Sequence, residues 1–167
     1  MGAVMKLYVS MQKGFTLIEI MVVIAIVGVL TTIVAGNFTT TQLKARDTQR
    51  KNDLSQLQRA LESYVNDHGS YPPSSAGELS GYSWGGDFSD SNGNVYMIKL
   101  PNDPKAPTIQ YLYETNITGG NTKYHIYSYL ENDKDETIAS YSGKICGIKG
   151  CNYGVSSSNT TMTEVLQ

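Results

Sequence analysis

The chain has 167 residues, enough for one domain with an appended segment and too few for two full domains. Thirteen Lys and Arg stand against fifteen Asp and Glu, a net charge of −2, which excludes the basic footprint of a nucleic-acid binder over the whole chain, and no specific nucleic acid is implied as a partner. Gly, Ser, Asn, Thr and Tyr are plentiful, as in a loop-rich, partly β extracellular body, whereas the greasy end of the chain is its N-terminus.

From Ile20 to Leu43 no residue is charged. A helix over those residues would be about 36 Å long at ~1.5 Å rise per residue, and a hydrocarbon core is roughly 30 Å thick. Glu19 opens the run, and an ionisable group there costs about 2.5–3.5 kcal/mol at a helix centre, so it needs a purpose. Three readings compete. A secretory signal explains Lys6 and Lys13, but the run is long and "TTIVAGN" is a weak cleavage match. A plain signal anchor fits the length and leaves Glu19 idle. The third reading puts the processing site before the apolar run.

That reading rests on "KGFTLIE", Lys13 to Glu19. The stretch resembles the class III signal of type IV prepilins and pseudopilins: a basic leader ending in Gly, then Phe, then Glu as fifth residue of the mature chain, then an apolar helix. The resemblance implies that a prepilin peptidase cuts between Gly14 and Phe15 and that the new amine of Phe15 is methylated. Met11 would start a four-residue leader, so two initiators stay open. Once Phe15 is first, Glu19 lies near the first turn of a helix, where the macrodipole favours it by roughly 0.3–1 kcal/mol. The Phe15 ammonium lies one turn away, in the same subunit or in a neighbour, and a dry helix bundle strengthens that attraction. The family's use of this carboxylate in assembly assigns Phe15 and Glu19 a docking role.

Gly28, Thr32 and Gly36 recur every four residues, a small-residue ladder that lets helix backbones approach, although such residues are common in membrane helices. Lys44, Arg46, Arg50 and Lys51 follow the run closely, and the positive-inside rule alone would put the body in the cytoplasm. Long domains cross largely regardless of charge, and the resemblance implies an outward body: a single-pass subunit of the cytoplasmic membrane with its head extracytoplasmic, later an extracellular or periplasmic filament.

No proline falls between Phe15 and Ser70, and Leu54, Leu57, Leu61 and Tyr64, with Ala60 and Val65, share one face. With Gly69 as a cap and "YPP" as a stop, one helix is predicted from Phe15 to about His68, near 80 Å at ~1.5 Å per residue. Arg46, Asp47, Arg50, Lys51 and Asp53 read as a solvated face, with pairing between subunits as the second reading. Residues 74–94 form a loop in which Tyr82 and Trp84 anchor onto the sheet. "VYMIKL", "IQYLYET", "TKYHIYSYL" and "ETIASYS" read as strands of an antiparallel meander laid against the helix. The six Tyr from Tyr96 to Tyr129 read as sheet-face contacts rather than a binding platform.

"LPNDP" with "IQYLY" and "YHIYSY" resembles the head of major pseudopilins of type II secretion, although "KA" stands where Trp-Gly usually follows Asp-Pro. In those proteins the region of "ENDKDE", Glu131 to Glu136, holds calcium. Asn132, Asp133 and Asp135 could supply oxygens, but the EF-hand spacing and the family's glycine-rich loop are missing, so a weak calcium site and a solvated turn both stay open. Cys146 and Cys151, the only cysteines, are too few for zinc and lack redox spacing. A short disulfide in an exported head is expected, contributing roughly 2 kcal/mol.

The fold expected is α+β: a long N-terminal helix packed by its second half on a small antiparallel β-sheet head, the pilin fold. It divides into a cleaved leader (1–14), an apolar half-helix (15–41), an amphipathic half-helix (42–68), a β-rich head (69–155) and a disordered tail (156–167). With His68 and His125 the only histidines and no phosphate loop, no catalytic constellation is present and no enzyme is expected. The function implied is a structural subunit that polymerises through its N-terminal helix into a type IV pilus or a secretion or DNA-uptake pseudopilus. Its implied partners are the prepilin peptidase, copies of itself and minor pilins, an inner-membrane assembly platform, and membrane lipid before assembly. A membrane-anchored extracellular binding protein that does not polymerise is the alternative.

Overall fold

The structure, a computed structural model, describes residues 14–166 apart from the side chains of residues 33–37. The leader therefore lies outside the described residues but for Gly14. Two compact units divide the chain, Met1–Thr39 and Thr40–Gln167.

Helix α1 runs Leu17–His68. It stops at Gly69, whose φ of 75° suits a residue without Cβ and whose N–H donates to Val65 O at 2.7 Å. Pro72 and Pro73, close behind, cannot resume it.

In the second unit the predicted apolar face is the buried one. Leu54, Leu57 and Leu61 have no exposure and Ala60 is buried beside them, while Tyr64 and Val65 flank the core. Two short hairpins follow the helix, β1 (Ser74–Ser75) with β2 (Glu78–Leu79) and β3 (Phe88–Ser89) with β4 (Val95–Met97). Strands β5 (Leu112–Thr115) and β6 (Tyr124–Ser128) pair antiparallel with Tyr113 opposite Ile126. A third hairpin, β7 (Ile145–Cys146) with β8 (Lys149–Gly150), precedes β9 (Tyr153–Ser156), which pairs with β6 to give the sheet order β5-β6-β9.

Alternation along β6 sets the two faces of that sheet. Tyr124 and Ile126 join the helix leucines in one core, with Tyr71, Phe88, Tyr111 and Tyr113. Tyr127 faces the other way and clusters with the Cys146–Cys151 disulfide, Tyr141 and Met162. Tyr82 and Trp84 pack against this core rather than onto a strand of the three-stranded sheet: Tyr82 meets the Phe88 ring edge-on at 4.9 Å, and Trp84 meets Tyr111 at 5.7 Å.

Three further expectations change. "ETIASYS" forms no strand, and the third sheet position goes to Tyr153–Ser156. "VYMIKL" pairs with β3 outside the three-stranded sheet. The tail is not free: Ser157 N–H donates to Tyr124 O at 3.1 Å, Asn159 Nδ2 donates to Thr122 O at 3.0 Å, and His125 Nε2 lies 3.0 Å from Thr161 O. Its backbone and side chains thus find partners on Tyr124 and His125 of β6 and on Thr122 just before it.

Candidate functional site

The start of α1 is built by Thr16 and Glu19. Glu19 Oε2 accepts from the Thr16 N–H and from Thr16 Oγ1, both at 2.7 Å, and the Glu19 N–H faces Thr16 Oγ1 at 3.3 Å. This is a reciprocal capping box, with Thr16 at the N-cap and Glu19 at the third helical position. The spacing Thr-x-x-Glu is itself a local sequence signal for this box, and it adds Thr16 to the residues expected at the site. Both partners lie after the expected scissile bond and survive its cleavage. Both hydrogen bonds end on one oxygen; among the described residues Glu19 Oε1 accepts none.

Above that cap the apolar side chains are unpartnered. Phe15 is 85% exposed, and every described large apolar residue from Leu17 to Leu30 is more than half exposed. A Cβ added at Gly28 would meet nothing within 4 Å, and the Thr32 hydroxyl donates to Val29 O at 2.8 Å. The surroundings of Gly36 lie outside the described residues. Among the described residues, no helix is long and apolar enough to cross a membrane.

A second cluster ties α1 to the head's loops, and here the solvated face of the sequence reading is corrected. Arg50 has no exposure; its Nε and Nη2 grip Asp103 at 2.7 and 3.0 Å, and Nη1 reaches Asp47 at 2.8 Å and Glu131 at 2.9 Å. Arg46 adds two bonds to Glu131, at 2.7 and 2.9 Å, and Lys105 a third, at 2.5 Å. These donors hold the Glu131 carboxyl at about 2, against an ordinary 4.5, with the Arg46 hydrogen bonds the largest cause. Asp47 also accepts the Glu131 and Asn132 N–H groups. Asp53 is half-buried and accepts from Tyr111 Oη at 2.7 Å; burial raises its pKa despite that bond. The charges are intramolecular because their partners return to the helix from 53 and 81 or more residues away.

The remaining candidates divide. Cys146 and Cys151 form the disulfide, 5.2 Å apart at Cα. Tyr111, Tyr113, Tyr124 and Tyr127 are buried, which fits sheet contacts rather than an open platform. Asn132 and Asp135 line one cleft, with the Asp135 N–H donating to Asn132 O at 3.1 Å, and among the described residues no group of three or more His, Cys, Asp or Glu comes together to hold a metal ion.

Comparison with known proteins follows the same two parts of the chain. Residues 9–35 match the profile of the prokaryotic N-terminal methylation motif, and residues 37–144 match that of the type II secretion system (T2SS), protein G. The type II secretion system core protein G of Pseudomonas aeruginosa is 38% identical over 104 residues, covering 60% of this chain and 73% of that protein. The protein of the same name from Dickeya chrysanthemi is 30% identical over 146 residues, covering 78% and 87%. That from Vibrio cholerae is 33% identical over 112 residues, covering 60% and 70%. No solved structure matches. The chain belongs to the type II secretion system protein G family, whose members are structural pseudopilin subunits and not enzymes.

Proposed function

We propose that this subunit polymerises into a type II secretion pseudopilus through its N-terminal helix. In this reading a prepilin peptidase cleaves between Gly14 and Phe15, and the Phe15 amine is methylated. The apolar half-helix holds the subunit in the cytoplasmic membrane with its head outside. An assembly platform in that membrane then adds it to copies of itself and minor pilins.

The observation that supports this most is the state of Glu19 beneath a column of exposed apolar side chains. One carboxylate oxygen is spent on capping its own helix, and the other faces no donor among the described residues. Cleavage at Gly14 supplies an ammonium, and a neighbour's ammonium can dock on Oε1 without breaking the cap. Burial of such a pair in a dry bundle makes the loss of one partner expensive, about 3–5 kcal/mol.

Glu19→Val tests this. The variant precursor is cleaved normally, since Gly14 and Phe15 are intact, but it fails to enter filaments and competes poorly with wild-type subunits in mixed assemblies. Glu19→Asp, with its shorter reach, is intermediate. Normal filament yield from processed Glu19→Val overturns the docking role. An N-terminus found by mass spectrometry to retain the leader overturns the processing.

A further inference from the structure

We infer that the ammonium of Lys51 closes the 131–137 loop in the place where a divalent cation would sit, so that the head folds independently of calcium. The inference stands apart from polymerisation, because it concerns the unassembled subunit.

Lys51 leaves α1 one residue after the buried Arg50 and reaches Asp135, 84 residues later. Its Nζ lies 2.8 Å from each Asp135 oxygen and 5.5 Å from the centroid of the Tyr153 ring. The ammonium is thus held by a carboxylate and by an aromatic face, as an organic cation is. Asp135 Oδ1 also accepts from the Thr137 N–H at 3.0 Å and from Thr137 Oγ1 at 2.6 Å. Little of that carboxylate remains to offer a metal.

The neighbouring acceptors are likewise committed. Asp47 takes Arg50 and two backbone N–H groups. Glu131 takes Arg46, Arg50 and Lys105. The Asn132 backbone N–H donates to Asp47 and the Asn132 carbonyl accepts the Asp135 N–H at 3.1 Å, so both backbone groups of Asn132 are engaged inside the loop. Calcium requires six to eight oxygens at about 2.3–2.6 Å; the residues here do not fit it.

Charge leads to the same result. Asp47, Asp103, Glu131 and Asp135 face Arg46, Arg50, Lys51 and Lys105, four carboxylates balanced by four bases. Lys44, Lys134 and Glu136, all exposed, line the cleft beside Lys51 and Asp135 and add no excess of negative charge to it. A calcium ion would bring two further positive charges into a neutral cluster and would have to expel Lys51. A side-chain cation is also fixed by covalent attachment, so its hold on the loop does not vary with ion concentration, whereas the stabilisation from a bound metal rises with the logarithm of its concentration.

The test uses the full chain in detergent micelles, with thermal unfolding followed by near-ultraviolet circular dichroism in EGTA or in excess calcium chloride. The midpoints are expected to coincide, whereas a structural ion at saturation would separate them by roughly 5 °C or more. Lys51→Arg is expected to keep the midpoint and Lys51→Ala to lower it equally with and without calcium. A wild-type midpoint that rises with calcium overturns the inference, and so does a Lys51→Ala midpoint equal to wild type. If Lys51→Ala fails to fold, the wild-type comparison decides alone.

Discussion

Arg50 carries more of the head's architecture than any other single charge. It is wholly buried and binds three carboxylates contributed by α1, the 101–105 segment and the loop after β6. Removing it leaves Asp103 and Asp47 buried without their countercharge, a loss of about 3–5 kcal/mol. Arg50→Met is therefore expected to lower the unfolding midpoint by roughly 10 °C or more. Arg50→Lys should recover only part of this, since an ammonium cannot grip Asp103 with two parallel bonds. A midpoint within a degree or two of wild type would show that the cluster contributes little. The same residues make stability acid-sensitive. Glu131 and Asp135 titrate near 2 in the folded chain, against ordinary values of 4.5 and 3.8, held down chiefly by Arg46 and by Lys51. A lowered carboxyl pKa contributes stability that is complete above the ordinary value and is lost as pH falls through the folded one. The midpoint should hold above about pH 5 and fall between about pH 4.5 and 2, and Glu131→Gln should flatten that acid limb while lowering the neutral plateau. An acid limb unchanged by Glu131→Gln would place the titrating groups elsewhere.

At the scale of elements, what was legible followed from short-range pattern. The leucine spacing of 54, 57 and 61 and the Gly69 stop need only neighbours along the chain, and both are realised. The charges of 46–51 have the same helical spacing as a surface stripe. Nothing local distinguishes them, because the desolvation comes from loops that are distant in sequence. The third strand was hidden for a different reason. "YGVS" carries a glycine, which ordinarily argues against a strand, yet Gly154 lies opposite Tyr127 with little room above it. A Cβ there would come 2.2 Å from Met162 Cε, 3.0 Å from Ile126 O and 3.2 Å from the Tyr127 ring. Met162 can swing away, but the Ile126 carbonyl is backbone within β6. Gly154→Ala should then loosen the tail and strain the β6–β9 pairing at a cost of about 1–3 kcal/mol, read as faster hydrogen exchange at the Ser157 amide. Unchanged exchange there would mean that the tail is held without Met162. The capping box is the opposite case, since its full signal was local and lay in plain view.

For the whole molecule, the decisive contrast is between its two units. In Met1–Thr39 every described large apolar side chain from Phe15 to Leu30 is exposed, whereas among the described residues of Thr40–Gln167 the large apolar side chains that are exposed are isolated along the chain: Val95, Ile98, Ile117, Ile145, Ile148 and Val165. Scattered apolar residues are ordinary on soluble surfaces, while a contiguous stripe marks a surface that membrane or protein must cover. The second unit also contains its own core, the Arg50 cluster, and the disulfide worth about 2 kcal/mol. A chain beginning at Gln42 is therefore expected to fold, to stay soluble without detergent, and to run as a monomer by light scattering at micromolar concentration. It keeps the Arg46, Arg50 and Lys51 contacts, so its unfolding should be cooperative and should retain the acid limb of the full chain. Reduction of Cys146–Cys151 should lower its midpoint by a few degrees without causing association, because Tyr127 and Met162 still cover the hairpin's buried side. Specific dimers or longer oligomers of this shortened chain, persisting on dilution, would move part of the assembly interface from the apolar half-helix into the head. A shortened chain that is insoluble or uncooperative would show instead that the first unit is needed for the head to fold.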